Sequence, residues 1–102
     1  MLNLGTIGFG FMKASFFASD ENRQSTVEAL HTALDMGVRL FDTADIYAPT
    51  WDAFGHNELL AAEAMRTHPL GSQAIIATKA GITRKPGEVW GRNASLDYLL
   101  RA

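Results

Sequence analysis

An α/β fold on a parallel sheet is the class this sequence predicts, and three observations predict it. Apolar runs alternate with helical patterns in the order β-α-β-α-β-α. The helical stretches are long enough to act as crossovers, which favours parallel strands joined by right-handed connections. Two of the runs end abruptly in a charge, at Asp42 and Lys79. In such sheets the carboxyl ends of the strands carry the functional groups.

Residues 2–12 (LNLGTIGFGFM) read as a short first strand, with glycines at 5, 8 and 10 that let backbone come close to another group. Neither common nucleotide motif fits here. A dinucleotide fingerprint starting at Gly8 needs glycine where Lys13 stands, and a P-loop starting at Gly5 needs Lys where Phe11 stands. Residues 13–24 read as a loop. A helix is expected over 25–36, opened by a capping box of Ser25 and Glu28 and closed by Gly37. Val27, Leu30 and Leu34, with Ala33 beside them, give it one apolar face.

A second strand, 38–42, ends at Asp42, and the loop 48–56 follows. Asn57 is expected to cap a helix from Glu58 to about Thr67, which stops before Pro69. Residues 73–79 (QAIIATK) form a nearly continuous apolar run, the pattern of a strand buried on both faces. The stretch 81–93 reads as a basic loop, and a last helix is expected from Asn93 or Ser95.

A chain of 102 residues sets the expectation of one small domain. A net charge of −2 with scattered Lys and Arg argues against nucleic acid and anionic membrane as partners. The apolar first twelve residues lack a positive flank, and Lys13 ends them too early for a membrane span. Cysteine is absent, which excludes a disulfide framework and a thiol nucleophile. A cytoplasmic setting is expected.

The chemistry concentrates in residues 38–47, VRLFDTADIY. A carboxylate at the end of a buried strand costs several kcal/mol unless it finds a partner. Lys79 stands at the end of the next strand, and neighbouring strand ends would let the two side chains pair. Tyr47 lies five residues past Asp42 and can fold back over that pair. A close ammonium favours a phenolate, and a tyrosine so tuned can donate a proton to a carbonyl oxygen as charge builds there. The competing interpretation of the same residues is a structural ion pair beside a solvent-facing tyrosine.

These stretches resemble the aldo-keto reductase family. IGFGFM at 7–12 is similar to the family's LGLGTM-type first strand, and ALDMGVRLFDTADIY at 33–47 to its ALDxGxxxxDTAxxY signature. GHNELLAAEAM at 55–65 resembles the GxNExxxxxAL helix start, AIIATKAG at 74–81 the third strand, and RNASLDYLLRA at 92–102 the approach to the fourth. The resemblance implies the first three βα units of a (β/α)8 TIM barrel, with residues 1–102 as its incomplete amino-terminal part. It further implies NADP as cofactor, bound without a Rossmann fold, and reduction of an aldehyde or ketone to an alcohol, or the reverse. By resemblance Tyr47 would be the general acid, Lys79 would lower its pKa, and Asp42 would hold Lys79. Gly10, Phe11, Met12 and Asp42 would face the cofactor, although the family usually has a small residue at the position of Phe11.

The family's catalytic His follows its fourth strand, which lies beyond Ala102, and the resemblance therefore implies a fragment or truncated product. His31, His56 and His68 do not substitute for it, and no metal site is expected among them. The alternative is a non-catalytic half-barrel, or a regulatory module like the potassium-channel β-subunits. Trp51, Phe54 and Trp90 are expected either to line a substrate pocket or to pack loops onto the rim. Arg84 and Lys85 could meet a cofactor phosphate, but a solvated charged turn is the stronger expectation. Asp45 is expected to be a loop or cap residue.

Overall fold

In the computed structural model, which describes residues 2–102, three parallel strands form one sheet. They are β1 (Gly8–Gly10), β2 (Leu40–Asp42) and β3 (Ile75–Ala77), in spatial order β1-β2-β3. Gly8, Phe9 and Gly10 lie opposite Leu40, Phe41 and Asp42, which in turn lie opposite Ile75, Ile76 and Ala77. A short helix α1 (Met12–Phe16) and a long helix α2 (Asp20–Asp35) connect the first two strands; α3 (His56–Arg66) connects the second and third. The alternation of apolar runs and helical patterns therefore produces the expected parallel α/β order.

The core forms where the two long helices meet the sheet. Leu30, Ala33 and Leu34 of α2 and Leu60, Ala61 and Ala64 of α3 are buried with Phe11 and Phe41. The spacing 30, 33, 34 is one helical face, as the sequence predicts. Burying a Leu or Phe side chain fully stabilises the fold by about 1.5–3 kcal/mol. Phe41 is the central knob, because β2 has a strand on each side and both helices over one face.

Helix α2 starts five residues before the expected Ser25. Ser19 caps it, its Oγ accepting from the Asn22 amide at 3.1 Å, and Asp20 and Glu21 place negative charge in the first turn. Acidic residues there complement the helix dipole, so the polar stretch expected as loop is the helix start. The Ser25–Glu28 pattern fails because those amides already lie inside the helix. The expected end holds. Gly37 has φ +94°, its amide donates to Leu34 O (3.0 Å), and the Val38 amide donates to Ala33 O (2.9 Å). That double bond pattern needs a left-handed residue, which favours glycine.

Other expectations shift in the same way. The first strand is confined to Gly8–Gly10, and Leu2, Leu4 and Ile7 before it are exposed. Gly55, at φ +80°, occupies the cap position of α3, and Asn57 is a buried residue of its first turn. β3 is not buried on both faces: it is the outer strand, and Ile76 is exposed. Before it, a 3-10 turn (Gly71–Gln73) passes so close to α3 that a Cβ on Gly71 would lie 1.7 Å from Met65 O.

The stretch 81–93 is an antiparallel hairpin rather than a loop, β4 (Ile82–Lys85) with β5 (Val89–Arg92). Its turn uses Gly87 and Glu88, both at positive φ. The chain then enters α4 (Leu96–Leu99), where Ser95, one of the two expected starts, accepts from the Tyr98 amide at 3.3 Å. Among the described residues, no helix is long and apolar enough to cross a membrane.

Candidate active site

Asp42 and Lys79 meet because the parallel ladder continues past its last regular pair. Asp42 lies opposite Ala77, and beyond them Thr43 N donates to Ala77 O (2.8 Å) and Asp45 N to Lys79 O (3.3 Å). Lys79 is two residues past Ala77, so its side chain leaves on the same face as that of Asp42. Lys79 Nζ donates to Asp42 Oδ1 at 3.0 Å, to Oδ2 at 2.8 Å and to the Thr43 carbonyl at 2.7 Å. An ammonium has three donors, and these acceptors use all of them.

The sequence leads to the expectation of a partly buried pair, and the pair is half exposed. Its side chains are 50% and 54% exposed. At that exposure an ion pair contributes about 0–1 kcal/mol, so compensation of a buried charge does not explain it. Its effect is orientation, since two anchors of different origin fix where the ammonium points. Burial is the largest single influence on the Lys79 pKa and pulls it down. Hydrogen bonding to Asp42 and the nearby Tyr47 phenol oppose burial and win, so the pKa is raised above the ordinary 10.5.

A raised lysine contributes stability that is complete below its unfolded pKa and lost as pH rises through the folded one. Thermal melting between pH 9 and 12 should therefore show a slightly steeper alkaline fall for the wild type than for Lys79→Met. Parallel curves would show that the pair adds nothing to folding.

Tyr47 sits beside this pair. Lys79 Nζ lies 5.0 Å from the centroid of its ring, within cation–π range. The loop that carries it is fixed by its backbone, since Tyr47 N donates to Ala44 O (3.3 Å) and Tyr47 O accepts from Asn57 N (3.1 Å). Phe16 of α1 packs on the ring at 6.2 Å and stacks in turn on Trp90 of the hairpin at 6.3 Å. A cleft of about 280 Å³ is lined by Gly10, Phe11, Met12, Lys13, Asp42 and Tyr47. The structure thus gathers every residue singled out on the first turn and the second strand around one opening. Phe11 joins it differently from the expectation, because its side chain is 5% exposed and lies in the core.

Beneath the cleft, Asn57 ties three elements together. Its Nδ2 donates to Phe11 O (3.0 Å) and Ser15 Oγ (2.8 Å), and its Oδ1 accepts from Thr43 Oγ1 (2.7 Å). Asn57, Ser15 and Thr43 are completely buried. This role is not legible in the sequence, where Asn57 before Glu58 has the pattern of a cap. Phe16 was missed because its segment looked like a loop, although Met12 and Phe16 stand one helical turn apart.

Arg84 neither reaches for a phosphate nor sits in a solvated turn. It is 7% exposed, donates to Ala48 O (2.7 Å) and Ile46 O (3.3 Å), pairs with Glu88, and stacks over Trp90 and Phe16. It pins the hairpin to the loop that bears Tyr47. Lys85 is exposed. Trp51 and Phe54 line another cavity, of about 510 Å³, with Lys85, Arg92, Tyr98 and Arg101. Among the three expected pocket aromatics, Trp90 is linked to Tyr47 through Phe16. His56 Nδ1 bonds Ser15 Oγ (2.8 Å), while His31 and His68 lie at the α2–α3 contact with ring centroids 4.9 Å apart. Asp45, expected to be a loop or cap residue, is 5% exposed.

A model of the aldo/keto reductase family matches residues 6–100. The chain is 39% identical over 87 residues to a 6-dehydroglucose reductase of Novosphingobium aromaticivorans, covering 80% of this chain and 27% of that protein. It is 29% identical over 89 residues to the aldo-keto reductase YhdN of Bacillus subtilis, covering 87% and 24%. A solved structure from Pseudomonas aeruginosa, provisionally assigned as an aldo-keto reductase, superposes with a TM-score of 0.66 at 23% identity, over 92% of this chain and 32% of that one. The chain thus spans about a quarter of the length of these curated relatives and about a third of the solved one.

Proposed function

This chain belongs to the aldo/keto reductase family, and from that premise we propose that it carries the Asp–Tyr–Lys part of a carbonyl reductase site. The reaction is NADPH-dependent reduction of a small aldehyde or ketone to the alcohol, or the reverse. The observation that carries the proposal is Lys79 Nζ, held between the Asp42 carboxylate and Thr43 O and set 5.0 Å from the Tyr47 ring. Its three parallel βα-linked strands fit the opening units of a (β/α)8 barrel, which has eight strands and typically ~250 residues. The functional groups lie at the carboxyl ends of those strands, where barrels place them.

The cleft fits part of a nicotinamide cofactor. A Cβ built on Gly10 would meet nothing within 4 Å, so the first strand's end is open there, next to Asp42 and Tyr47. Gly10, the Phe11 backbone and Met12 would hold the group, and when bound it supplies the hydride equivalent for the substrate carbon. Tyr47 donates its phenolic proton to the carbonyl oxygen as negative charge grows there. Lys79 stabilises the phenolate left behind, and Asp42 with Thr43 O keeps the ammonium aimed at it. In the oxidative direction Tyr47 takes the proton back.

The test is NADPH oxidation with an aromatic aldehyde, run on the 102-residue chain and on a polypeptide extended to the length of the relatives. Aldehyde-dependent oxidation is expected from the extended form and none from the short one. Silence from a folded extended form would reject the reductase reading. Full turnover by the short chain would reject the assignment of these residues as part of a larger barrel.

A further inference from the structure

Among the described residues, Glu88 is the only non-glycine at positive φ, at +60°. That conformation favours glycine and, after it, Asn or Asp, so a glutamate there points to a use for its side chain. Both carboxylate oxygens of Glu88 are bonded. Oε1 accepts from the Trp51 amide (2.9 Å), and Oε2 accepts from Arg84 Nε (2.9 Å) and from Arg84 Nη2. Arg84 in turn donates from Nη1 to Ala48 O (2.7 Å) and Ile46 O (3.3 Å). Its guanidinium is buried, with Cζ 4.9 Å from the ring centroid of Trp90 and 5.4 Å from that of Phe16.

These bonds bracket one residue. Ile46 and Ala48 flank Tyr47, so Arg84 takes the carbonyl on each side of it, and Glu88 takes the amide of Trp51 further along the same loop. The ring is reached as well, because Phe16, which the guanidinium covers, packs on Tyr47 at 6.2 Å. Tyr47's own backbone bonds are longer, 3.3 Å to Ala44 O and 3.1 Å from Asn57 N, than the charge-assisted bond to Ala48 O. A guanidinium offers its donors in a rigid planar fork, so four bonds and two rings fix its plane and with it both carbonyls. A buried ion pair is weak evidence for stability, and its better-attested use is to hold one arrangement.

We propose that the Arg84–Glu88 pair positions Tyr47 for proton transfer, by fixing the loop 46–51 so that the phenol stays beside Lys79. The proposal rests on the reading of Tyr47 as the general acid. Arg84 and Glu88 act through the loop and not on substrate, so both are positioning residues. The need for them follows from the topology. Asp42 ends β2, and Lys79 lies just past β3, its carbonyl bonded by Asp45 N, whereas Tyr47 stands on the loop five residues beyond Asp42. Loops are the more mobile parts of a scaffold. Aiming the Lys79 ammonium serves proton transfer only if the phenol is held to match, and a misplacement of about 1 Å can cost on the order of 10² in rate. The hairpin β4–β5, which carries Arg84, Glu88 and Trp90, supplies that second half of the alignment.

Arg84→Lys and Glu88→Asp test the proposal, since each keeps the charge and loses the reach. The first readout is the titration of the Lys79 side chain, followed by 13C NMR between pH 9 and 12. Burial pulls the Lys79 pKa down, and bonding to Asp42 and then to Tyr47 carries it above 10.5. A Tyr47 that drifts away withdraws part of that support, so the Lys79 midpoint should fall in both variants. The second readout is steady-state kinetics in an extended, active form. There kcat should drop on the order of 10²-fold, while KM for the aldehyde and NADPH binding stay within a small factor of wild type. Glu88 is half exposed, so Glu88→Asp carries the test if Arg84→Lys does not fold. An unmoved Lys79 midpoint in a folded variant overturns the positioning role, as does a loss confined to KM. Turnover that survives Tyr47→Phe rejects instead the general-acid reading beneath it, whatever the Lys79 titration shows.

Discussion

Tyr47→Phe in a full-length, active form should lower carbonyl turnover by about 10²–10⁴-fold, the range for loss of a positioned general acid. NADPH binding should stay within a small factor of wild type. The ring survives the substitution, so its packing on Phe16 and its place over Lys79 persist, and only the transferable proton is lost. Steady-state kinetics with an aromatic aldehyde measures the first effect, and quenching of protein fluorescence by NADPH measures the second. Equal loss of turnover and cofactor affinity would mean that Tyr47 shapes the cleft rather than supplying a proton. Unchanged turnover would remove it from the chemistry.

The largest loss of stability is expected from Asn57→Leu, at about 3–5 kcal/mol. Leu keeps the branching of Asn but is larger, so some overpacking adds to a cost that is mainly polar. It strands Phe11 O and Thr43 Oγ1 in the interior and takes one partner from Ser15, and each buried group left unsatisfied costs about 1–3 kcal/mol. Denaturant unfolding of the two chains gives the difference directly. A loss below 1 kcal/mol would show that solvent reaches these groups. Thr43→Val should cost less, because it leaves one buried group unpaired, Asn57 Oδ1, instead of two, and the two substitutions should not add, since they share one bond. The effect bears on function as well. Thr43 O is one of the anchors of Lys79, so loosening Asn57 loosens the ammonium.

The parts of this architecture legible in the sequence are those set by local rules. The apolar face of Leu30, Ala33 and Leu34 follows from the helical period, and Gly37 follows from the need for positive φ after a last turn. Asp42 and Lys79 could be paired on paper because strands joined by one helix tend to be neighbours. Helix starts were harder to read. Ser19 and Ser25 both satisfy a capping pattern, and the acidic residues after Ser19 decide in its favour. The hairpin at 82–92 was hidden because its basic residues suggest a solvated loop, whereas Arg84 is buried by stacking and by carbonyls more than thirty residues away in sequence.

By itself, the sequence determined the parallel α/β order, the family, and which three side chains stand at the strand ends. Period, turn chemistry and motif spacing are properties of neighbouring residues, and no folding is needed to see them. The tertiary structure alone decided that the Asp42–Lys79 pair is half exposed, so that it orients rather than compensates. It also decided that Phe11 faces inward, that Asn57 is a hub instead of a cap, and that the Asp45 carboxylate is enclosed without a hydrogen-bond partner among the described residues. Burial and hydrogen-bond satisfaction depend on what distant segments bring to a point in space. A sequence shows that Asp45 can titrate; only the packing of distant segments shows that its carboxyl is enclosed.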